Sequence, residues 1–238
     1  MKDPRHYYDD FSTNYDAHRD AGYHAYIDDF EADCVRHWMP GGRVLEVGCG
    51  TGQILQRVRR FAPAAVGVDL SHGMLEHARG RGLPVAQASA LELPFPAQRF
   101  DLVYSFKVLP HIPNLGGALR EIERVLVPGG VALLEFYNPN SLRGAWKKLR
   151  WWKARVGTGS HDRQVYTAYH TPTQARAELP PGLRPVGRRG AVVLTPHAAL
   201  HRVPVMGRLL RSAEFVAGRG PAADWAGFHI LAARKQPA

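Results

Sequence analysis

Glycine occupies every second position of the stretch 48–52, Gly-Cys-Gly-Thr-Gly, which directly follows the largely apolar run 44–47. Branched apolar residues of this kind suit a strand that is buried on both faces. Glycines after such a strand allow a tight turn, and the backbone can lie against a bound molecule because no Cβ intervenes. Asp69 ends a second apolar run at 65–68. A carboxylate at this point of an α/β fold can hold both hydroxyls of a ribose, so the two stretches predict a site for a nucleoside ligand.

The rest of the chain supplies the elements that would position this site. Hydrophobic spacing predicts strands and helices in alternation, which implies an α/β protein with a doubly wound, mostly parallel sheet and helices on both faces. Two late apolar runs predict an antiparallel pair that completes seven strands, with a helical region at 197–217 between them. The predicted strands are 44–47, 65–68, 84–88, 100–105, 131–136, 186–194 and 228–233, and the earlier helices are 53–62, 74–79 and 115–126.

The flanking segments complete a single predicted domain over residues 1–238. Residues 1–40 are rich in Tyr, Asp and His and predict one or two helices, which form either a lid over the nucleotide site or a plain surface layer. Residues 41–140 form the predicted cofactor-binding core. Residues 141–180 form a variable acceptor or cap region with a helical insertion, and 181–238 supply the last strands and helix.

Composition and charge restrict the class of protein. The chain has 238 residues, 45% of them hydrophobic, and a net charge of +10. No apolar run approaches the roughly 18 residues of a membrane span, and the N-terminus lacks the pattern of a secretory signal. Two cysteines make no disulfide framework, so a reducing cytoplasm is expected.

The positive charge is concentrated late in the chain. Residues 141–238 hold seventeen bases and four acids, whereas residues 1–33 hold nine acids and three bases. The basic part is either the ordinary surface of an arginine-rich protein or a surface for anionic partners such as nucleic acid or phospholipid head groups.

Five motifs in order resemble the class I S-adenosylmethionine-dependent methyltransferases, of the small-molecule type known as methyltransferase 11. The resemblance is strong over about residues 40–140 and weak in the flanks. It implies a Rossmann-like fold and S-adenosylmethionine as the cofactor. The motifs are Val-Leu-Glu-Val-Gly-Cys-Gly-Thr-Gly at 44–52, Gly-Val-Asp-Leu-Ser at 67–71, Phe-Asp-Leu-Val at 100–103, Leu-Pro-His-Ile at 109–112, and Glu121 with Arg-Val-Leu-Val-Pro-Gly-Gly at 124–130.

The chemistry of the loop agrees with this cofactor. A dinucleotide loop has the spacing G-x-G-x-x-G, and a phosphate-binding P-loop carries a lysine, whereas this loop has G-x-G-x-G and no lysine. S-adenosylmethionine has no phosphate. Glu46, Asp69 and Met74 match its ammonium, its ribose and its adenine in turn.

The resemblance implies a role for each matching residue. The glycine loop would line the methionine and ribose parts, Glu46 would reach the ammonium directly or through water, and Asp69 would hold the ribose hydroxyls. Ser89 departs from the aspartate usual in the family, so its bond to the adenine amino group would be weaker. The expected cofactor-binding residues are Glu46, Gly48, Cys49, Gly50, Thr51, Gly52, Asp69, Leu70, Met74, Ser89, Ala90, Phe106 and Tyr15.

The sequence defines the binding site of the methyl acceptor less closely than that of the cofactor. His111 is the expected general base where the acceptor must lose a proton, with helix entry or packing as the alternative. The histidines and cysteines show no metal-ligand spacing, so no metal is expected. The expected substrate residues are Lys107, His111, Tyr137, Asn138, Trp146, Tyr166 and Tyr169.

Residues 141–156 predict an amphipathic helix with six bases and no acid. Such a helix can pack on its own domain, cover the active site as a lid, or lie on an anionic membrane surface. The last would make the protein peripheral to the inner face of the membrane. The sequence carries no signal for an oligomeric state.

Three functions follow from these features. The first is methyl transfer to an O, N or C atom of a small metabolite, one that is hydrophobic or lipid-like. The second is modification of RNA such as tRNA, which the basic C-terminal part favours. A missing RNA-binding module and Tyr-Ser-Phe-Lys at 104–107, in place of an Asn/Asp-Pro-Pro-Tyr/Phe motif, make a nucleic-acid substrate the weaker alternative. The third is a non-catalytic binding protein that keeps the fold.

Overall fold

A computed structural model of the chain describes residues 4–16, 22–142, 144 and 165–237. Most of the amphipathic segment 141–156, Trp146 included, therefore lies outside the described residues. None of the helices in the described ranges combines the length and the apolar character that crossing a membrane requires.

In the part of the chain that the structure describes, seven strands form one sheet in the order β3-β2-β1-β4-β5-β7-β6. The first five are parallel, and β7 runs antiparallel to both β5 and β6. This confirms the predicted fold class. The strands are β1 (Val44–Val47), β2 (Val66–Asp69), β3 (Val85–Gln87), β4 (Phe100–Ser105), β5 (Leu126–Tyr137), β6 (Leu183–Ala191) and β7 (Phe228–Lys235).

Helices cover both faces of the sheet, as predicted. One buried cluster joins α2, α3 and α4 to the sheet, and a second joins α5 and α6 to the opposite face. Leu102 and Tyr104 of β4 belong to the first cluster and Val103 to the second, as the alternation of a strand requires. The helices are α1 (Pro4–Tyr15), α2 (Gly22–Trp38), α3 (Gln53–Val58), α4 (His72–Gly80), α5 (Leu115–Val125), α6 (Pro172–Ala177) and α7 (Pro204–Ala217).

Several boundaries differ from the prediction: β5 begins at Leu126 rather than 131, β6 ends at Ala191 rather than 194, and two others differ for local reasons. The helix predicted for 53–62 ends at Val58, and tighter turns lead to Pro63, whose ring disfavours helix in the residue before it. Strand β6 begins at Leu183 rather than 186, because a register shift between Pro185 and Gly187 lets the strand continue past the proline.

The strand order creates a crevice at the carboxyl end of β1. The chain leaves β1 through α3 to β2 on one side, while β4 pairs with β1 on the other side. Ligands of open α/β sheets bind at such a switch point, outside the carboxyl ends of the strands. The glycine loop 48–52 lies there.

Candidate functional site

The glycine loop turns sharply against the neighbouring strand. The amides of Gly48 and Cys49 both donate to the carbonyl of Val68, at 2.7 and 2.9 Å. Gly48 has a φ of +81°, and a Cβ on it would lie 2.1 Å from a methyl group of Val108. Gly50 has a φ of +52° and open space where its Cβ would be. A ligand can therefore approach the backbone at Gly50 closely.

Asp69 links the glycine loop to the start of α4. Its Oδ2 accepts the amide of Gly50 at 2.7 Å, and its Oδ1 accepts the amide of Ser71 at 2.9 Å. Burial raises the pKa of Asp69, and the hydrogen bonds from Ser71 and Gly50 offset only part of this. Because a carboxylate offers about four acceptor positions, Asp69 can hold both amides and still accept two hydroxyl groups.

A cavity of about 270 Å³ lies against the loop and Asp69. Most of its wall is apolar, as in small-molecule sites generally. The lining contains eleven of the predicted residues, namely Tyr15, Gly48, Gly50, Asp69, Leu70, Met74, Ser89, Ala90, Phe106, Lys107 and His111. It also contains residues that the sequence did not single out as site residues: Tyr8, Val47, Val68, Ala88, Leu91, Val108, Ile112 and Pro113.

Four expected cofactor residues lie beside this lining and not in it. Glu46 is buried and accepts the hydroxyl of Tyr104 at 2.9 Å, and burial raises its pKa well above the usual range. Cys49 is buried, which likewise raises the pKa of its thiol. Gly52 has a φ of +84°, and a Cβ on it would lie 2.2 Å from Leu83. The fourth, Thr51, binds the N-terminal segment.

The N-terminal segment is fastened to the glycine loop through Asp16. The carboxylate of Asp16 accepts from the Thr51 hydroxyl at 2.8 Å, from the Gln53 amide at 3.0 Å and from the Arg81 guanidinium at 2.7 Å. Burial alone would raise the pKa of Asp16, but these hydrogen bonds and the charge of Arg81 outweigh it and lower the pKa. The segment that carries Tyr15 is thereby held over the cavity.

A second contact fastens the middle of α1 to α4. Ser71 caps α4 by accepting the amide of Met74 at 3.1 Å, and its hydroxyl donates to Asp9 at 2.5 Å. Asp9 also accepts the amide of Gly73 at 3.0 Å. A carboxylate at the N-terminus of a helix is favoured by the helix dipole. The acidic excess of residues 1–33 was the sequence signal for these contacts, but it did not show which acids make them.

We expect Asp16→Ala to weaken S-adenosylmethionine binding about tenfold, because three hydrogen bonds that hold the N-terminal segment over the cavity are lost, each contributing roughly 1 kcal/mol or more. Calorimetric titration of the variant with the cofactor measures this. Asp10→Ala, in α1 and with an exposed side chain, is the matched control. Equal affinities for Asp16→Ala and the wild type would contradict a role of this contact in binding.

His111 also lines the cavity and belongs to a 3-10 turn, Leu109–His111, that follows β4. Its Nδ1 is 3.0 Å from the carbonyl oxygen of Tyr166 and 3.2 Å from the hydroxyl of Thr167. Its Nε2 is 3.3 Å from the hydroxyl of Tyr137. A carbonyl oxygen only accepts, so Nδ1 carries the proton in neutral His111, and Nε2 keeps a lone pair.

Several aromatic side chains lie around His111 and along the end of β5. The ring of Tyr137 is edge-on to His111 at 5.5 Å, and it contacts Tyr169 at 6.1 Å and Phe228 at 5.5 Å. Tyr8 of α1 is edge-on to His111 at 6.4 Å. The structure thus brings together several predicted substrate residues from distant parts of the chain.

Asn138 has a different position from the one predicted. It is buried, its amide nitrogen donates to the carbonyls of Asp224 and Ala226, and its oxygen accepts the amide of Asn140. Its polar atoms are therefore engaged with backbone groups, and they fix the turn before β7. Asn138 is not among the residues that line the cavity.

Lys107 borders the cavity, but its ammonium group points into a buried acidic cluster. The Nζ atom is 2.8 Å from Glu31 and 3.4 Å from Asp28, and the backbone amide of Lys107 donates to Glu135 at 3.1 Å. These three acids are fully buried. Lys107 itself has a φ of +60°, a strained value for a residue with a side chain.

Within the described residues no group of His, Cys, Asp or Glu has the arrangement of a metal site.

The strand order, the glycine turn after β1 and the carboxylate after β2 define a nucleoside-binding fold of the methyltransferase kind. A solved structure with the same fold is a S-adenosylmethionine-dependent methyltransferase of Thermotoga maritima. It superposes with a TM-score of 0.70 over 98% of this chain and 99% of its own, at 19% identity. At that identity the likeness shows the fold alone.

Residues 45–134 match the family model described as a methyltransferase domain. The ubiquinone/menaquinone biosynthesis C-methyltransferase of Geobacter sulfurreducens is 39% identical over 120 residues, 45% of this chain and 46% of that protein. A ubiquinone biosynthesis O-methyltransferase of Ruegeria pomeroyi is 30% identical over 64% of each chain. The chain therefore spans about half to two thirds of the length of these relatives.

Proposed function

We propose that this protein transfers the methyl group of S-adenosylmethionine to a small, apolar metabolite whose accepting atom carries an acidic proton, such as a phenolic hydroxyl. The observation that carries the acceptor assignment is the lone pair of His111 Nε2 at the wall of an apolar cavity. The names of the two relatives, which concern ubiquinone and menaquinone biosynthesis, support an aromatic or quinone-like acceptor.

The residues of the cavity fit the cofactor in their chemistry. Gly50 leaves open space at its Cβ position, Asp69 offers unused acceptor positions for two ribose hydroxyls, and Leu70 and Met74 supply apolar surface for adenine. Ser89 also lines the cavity, where its hydroxyl already accepts the amide of Leu91 at 3.1 Å. Glu46 lies beside the lining and not in it, so it would reach the ammonium through an intervening water.

When bound, the cofactor would supply a methyl group on a positively charged sulfur. A nucleophile that attacks the methyl carbon in line displaces the sulfur, which leaves as S-adenosylhomocysteine. The chain's part is to position the acceptor, exclude water and remove a proton. Phe106 presents an aromatic ring that is nearly buried at the cavity wall, where a cationic sulfur is favoured. The N-terminal segment, which Asp16 fastens to the glycine loop, limits the access of water to the same space.

His111 can remove the proton of the acceptor. The carbonyl of Tyr166 fixes its Nδ1–H, so Nε2 receives the proton while the oxygen of the acceptor forms its bond to the methyl carbon. Burial raises the pKa of Tyr137 well above its usual range, so Tyr137 stays protonated and donates to Nε2 until the acceptor replaces it.

We expect His111→Asn to lower kcat on the order of 100-fold, the usual contribution of a general base. Affinity for S-adenosylmethionine should change little, because His111 lies on the acceptor side. Formation of S-adenosylhomocysteine is measured with a panel of phenols, catechols and hydroquinones with and without alkyl chains. Tyr137→Phe is the matched variant and should lose less, since it keeps the ring. Unchanged turnover in His111→Asn would remove the base.

The same assays separate the alternatives. Binding of the cofactor without product from any acceptor would favour a non-catalytic binding protein. Steeply salt-dependent binding and methylation of tRNA would favour an RNA substrate.

A further inference from the structure

Helix α7 presents an apolar stripe to solvent. Val205, Leu209 and Val216 recur on one side of the helix and are 69%, 66% and 74% exposed, with Met206 beside them at 52%. A surface helix of a globular protein normally turns such a stripe toward the core. Contiguous exposed apolar surface of this kind marks an interaction site more often than isolated residues do.

The opposite side of α7 packs against the rest of the protein. The apolar stripe is therefore not the side of the helix that faces the core. Glu214 is buried and accepts the amides of Val193, Leu194 and Thr195 at 2.7–3.0 Å. Phe215 packs edge-on against Phe30 at 5.2 Å. These contacts fix the rotation of the helix and leave the apolar stripe outside.

Positive charge accompanies the stripe. Arg202, two residues before α7, and Arg208, within its first turns, are both exposed. The acid of this helix, Glu214, is buried on the packed side. The exposed side therefore combines apolar residues and arginines without a carboxylate, the composition of a helix that lies in the interface of an anionic bilayer.

The segment that leads to this surface leaves the sheet at the carboxyl edge, where the cavity also lies. Strand β6 runs in the direction of β1, so the segment after Ala191 that leads to α7 emerges at the carboxyl edge. Trp225 immediately precedes β7, whose Phe228 pairs with Tyr137 at that edge, and it is 57% exposed. Leu194 at this edge is 45% exposed. Tryptophan and arginine are typical of the membrane interface.

We propose that the surface formed by Val205, Met206, Leu209, Val216, Arg202 and Arg208 docks the protein on an anionic phospholipid bilayer. The stripe inserts among the acyl chains, and the arginines contact the phosphates. A bilayer fits this surface better than a protein partner because the charge is of one sign and follows the stripe along a single convex helix. The docking does not depend on the identity of the methyl acceptor.

The test is flotation of the full chain with vesicles of phosphatidylcholine, with and without phosphatidylglycerol. The wild type should bind the anionic vesicles and bind neutral ones much less. Met206→Ser with Leu209→Ser should lower partitioning about tenfold or more. Arg202→Gln with Arg208→Gln should lower it on the order of tenfold on anionic vesicles only.

The control is Arg184→Gln with Val186→Ser, exposed residues near the amino end of β6, which should leave partitioning unchanged. Binding of S-adenosylmethionine reports that each variant is folded. Partitioning that survives both α7 variants but is lost with Trp146→Ser and Trp152→Ser would overturn the proposal. A wild-type dimer that becomes monomeric in Leu209→Ser would do the same, because a second copy would then cover the stripe.

Discussion

Asp69→Ala is expected to abolish the rise in melting temperature that S-adenosylmethionine produces in the wild type. The variant loses two charge-assisted hydrogen bonds to the ribose, each contributing roughly 1.5–3 kcal/mol. It also loses the acceptors of the Gly50 and Ser71 amides, which hold the glycine turn against α4. The loss of the ribose hydrogen bonds and the loss of the support for the glycine turn together correspond to at least about a 100-fold weaker affinity for the cofactor. Thermal shift and calorimetric titration measure the effect.

Asp101→Ala is the matched control for Asp69→Ala. Asp101 is also a strand aspartate that accepts a backbone amide, from Arg43 at 2.7 Å, but it lies near the amino ends of β1 and β4, away from the cavity. It should lower stability without changing the affinity for the cofactor. Wild-type affinity in Asp69→Ala would exclude Asp69 as the ribose ligand, and no thermal shift in the wild type would exclude the cofactor.

The pKa of Asp69 gives this binding a pH dependence. Because burial raises that pKa, the carboxylate becomes protonated at a pH above the ordinary range of an aspartate. Protonation removes acceptor capacity and charge, so affinity should fall as the pH decreases through the raised pKa. Asp69→Asn should bind weakly with little dependence on pH over the same range.

The features that the sequence predicted best are those that depend on neighbours along the chain. The glycine turn at 48–52 and the carboxylate of Asp69 follow from strand patterns of four residues and from the backbone freedom of glycine. The strands and helices that carry them follow from hydrophobic periodicity. For this reason the fold and most of the cavity lining could be predicted before any contact was known.

The features that were missed are contacts between distant segments. Asp16 meets Thr51 across 35 positions, and Asp9 meets Ser71 across 62. Nothing in the local sequence distinguishes these two acids from their exposed neighbour Asp10. Lys107 was predicted to face the substrate, yet its ammonium group is paired with acids of α2, because only the packed fold shows which acids surround it.

Lys107→Met should destabilise the protein by roughly 3–5 kcal/mol, the usual effect of leaving buried charges without their partner. The substitution keeps the length and apolar stem of the side chain and removes the ammonium group that contacts Glu31 and Asp28. Arg57, whose guanidinium is 3.8 Å from Asp28, is too far away to replace it fully. Unfolding in urea, followed by circular dichroism, measures the loss.

Two further variants separate charge from backbone strain at this position. Lys107→Gly removes the same ammonium group, but glycine accepts the φ of +60° without strain, so it should be about 1–2 kcal/mol more stable than Lys107→Met. Glu31→Gln combined with Lys107→Met removes one of the uncompensated charges. The pair should be more stable than Lys107→Met alone, and simple addition of the two single effects would contradict direct coupling.

The pH dependence of the Lys107 variants follows from the acids that remain. Burial raises the pKa values of Glu31 and Glu135 in the folded state, and the charge of Lys107 lowers them again in part. A folded state with raised carboxyl pKa values binds more protons than the unfolded state, so the contribution of these two acids to stability is greatest at low pH and is lost as the pH rises above their unfolded value of about 4.5. Without Lys107 this loss should be steeper and extend to higher pH, at about 1.4 kcal/mol per pH unit for each proton.

The urea midpoint of Lys107→Met should therefore fall between about pH 5.5 and about pH 8 more than that of the wild type. Equal falls would mean that the ammonium group does not compensate the buried acids.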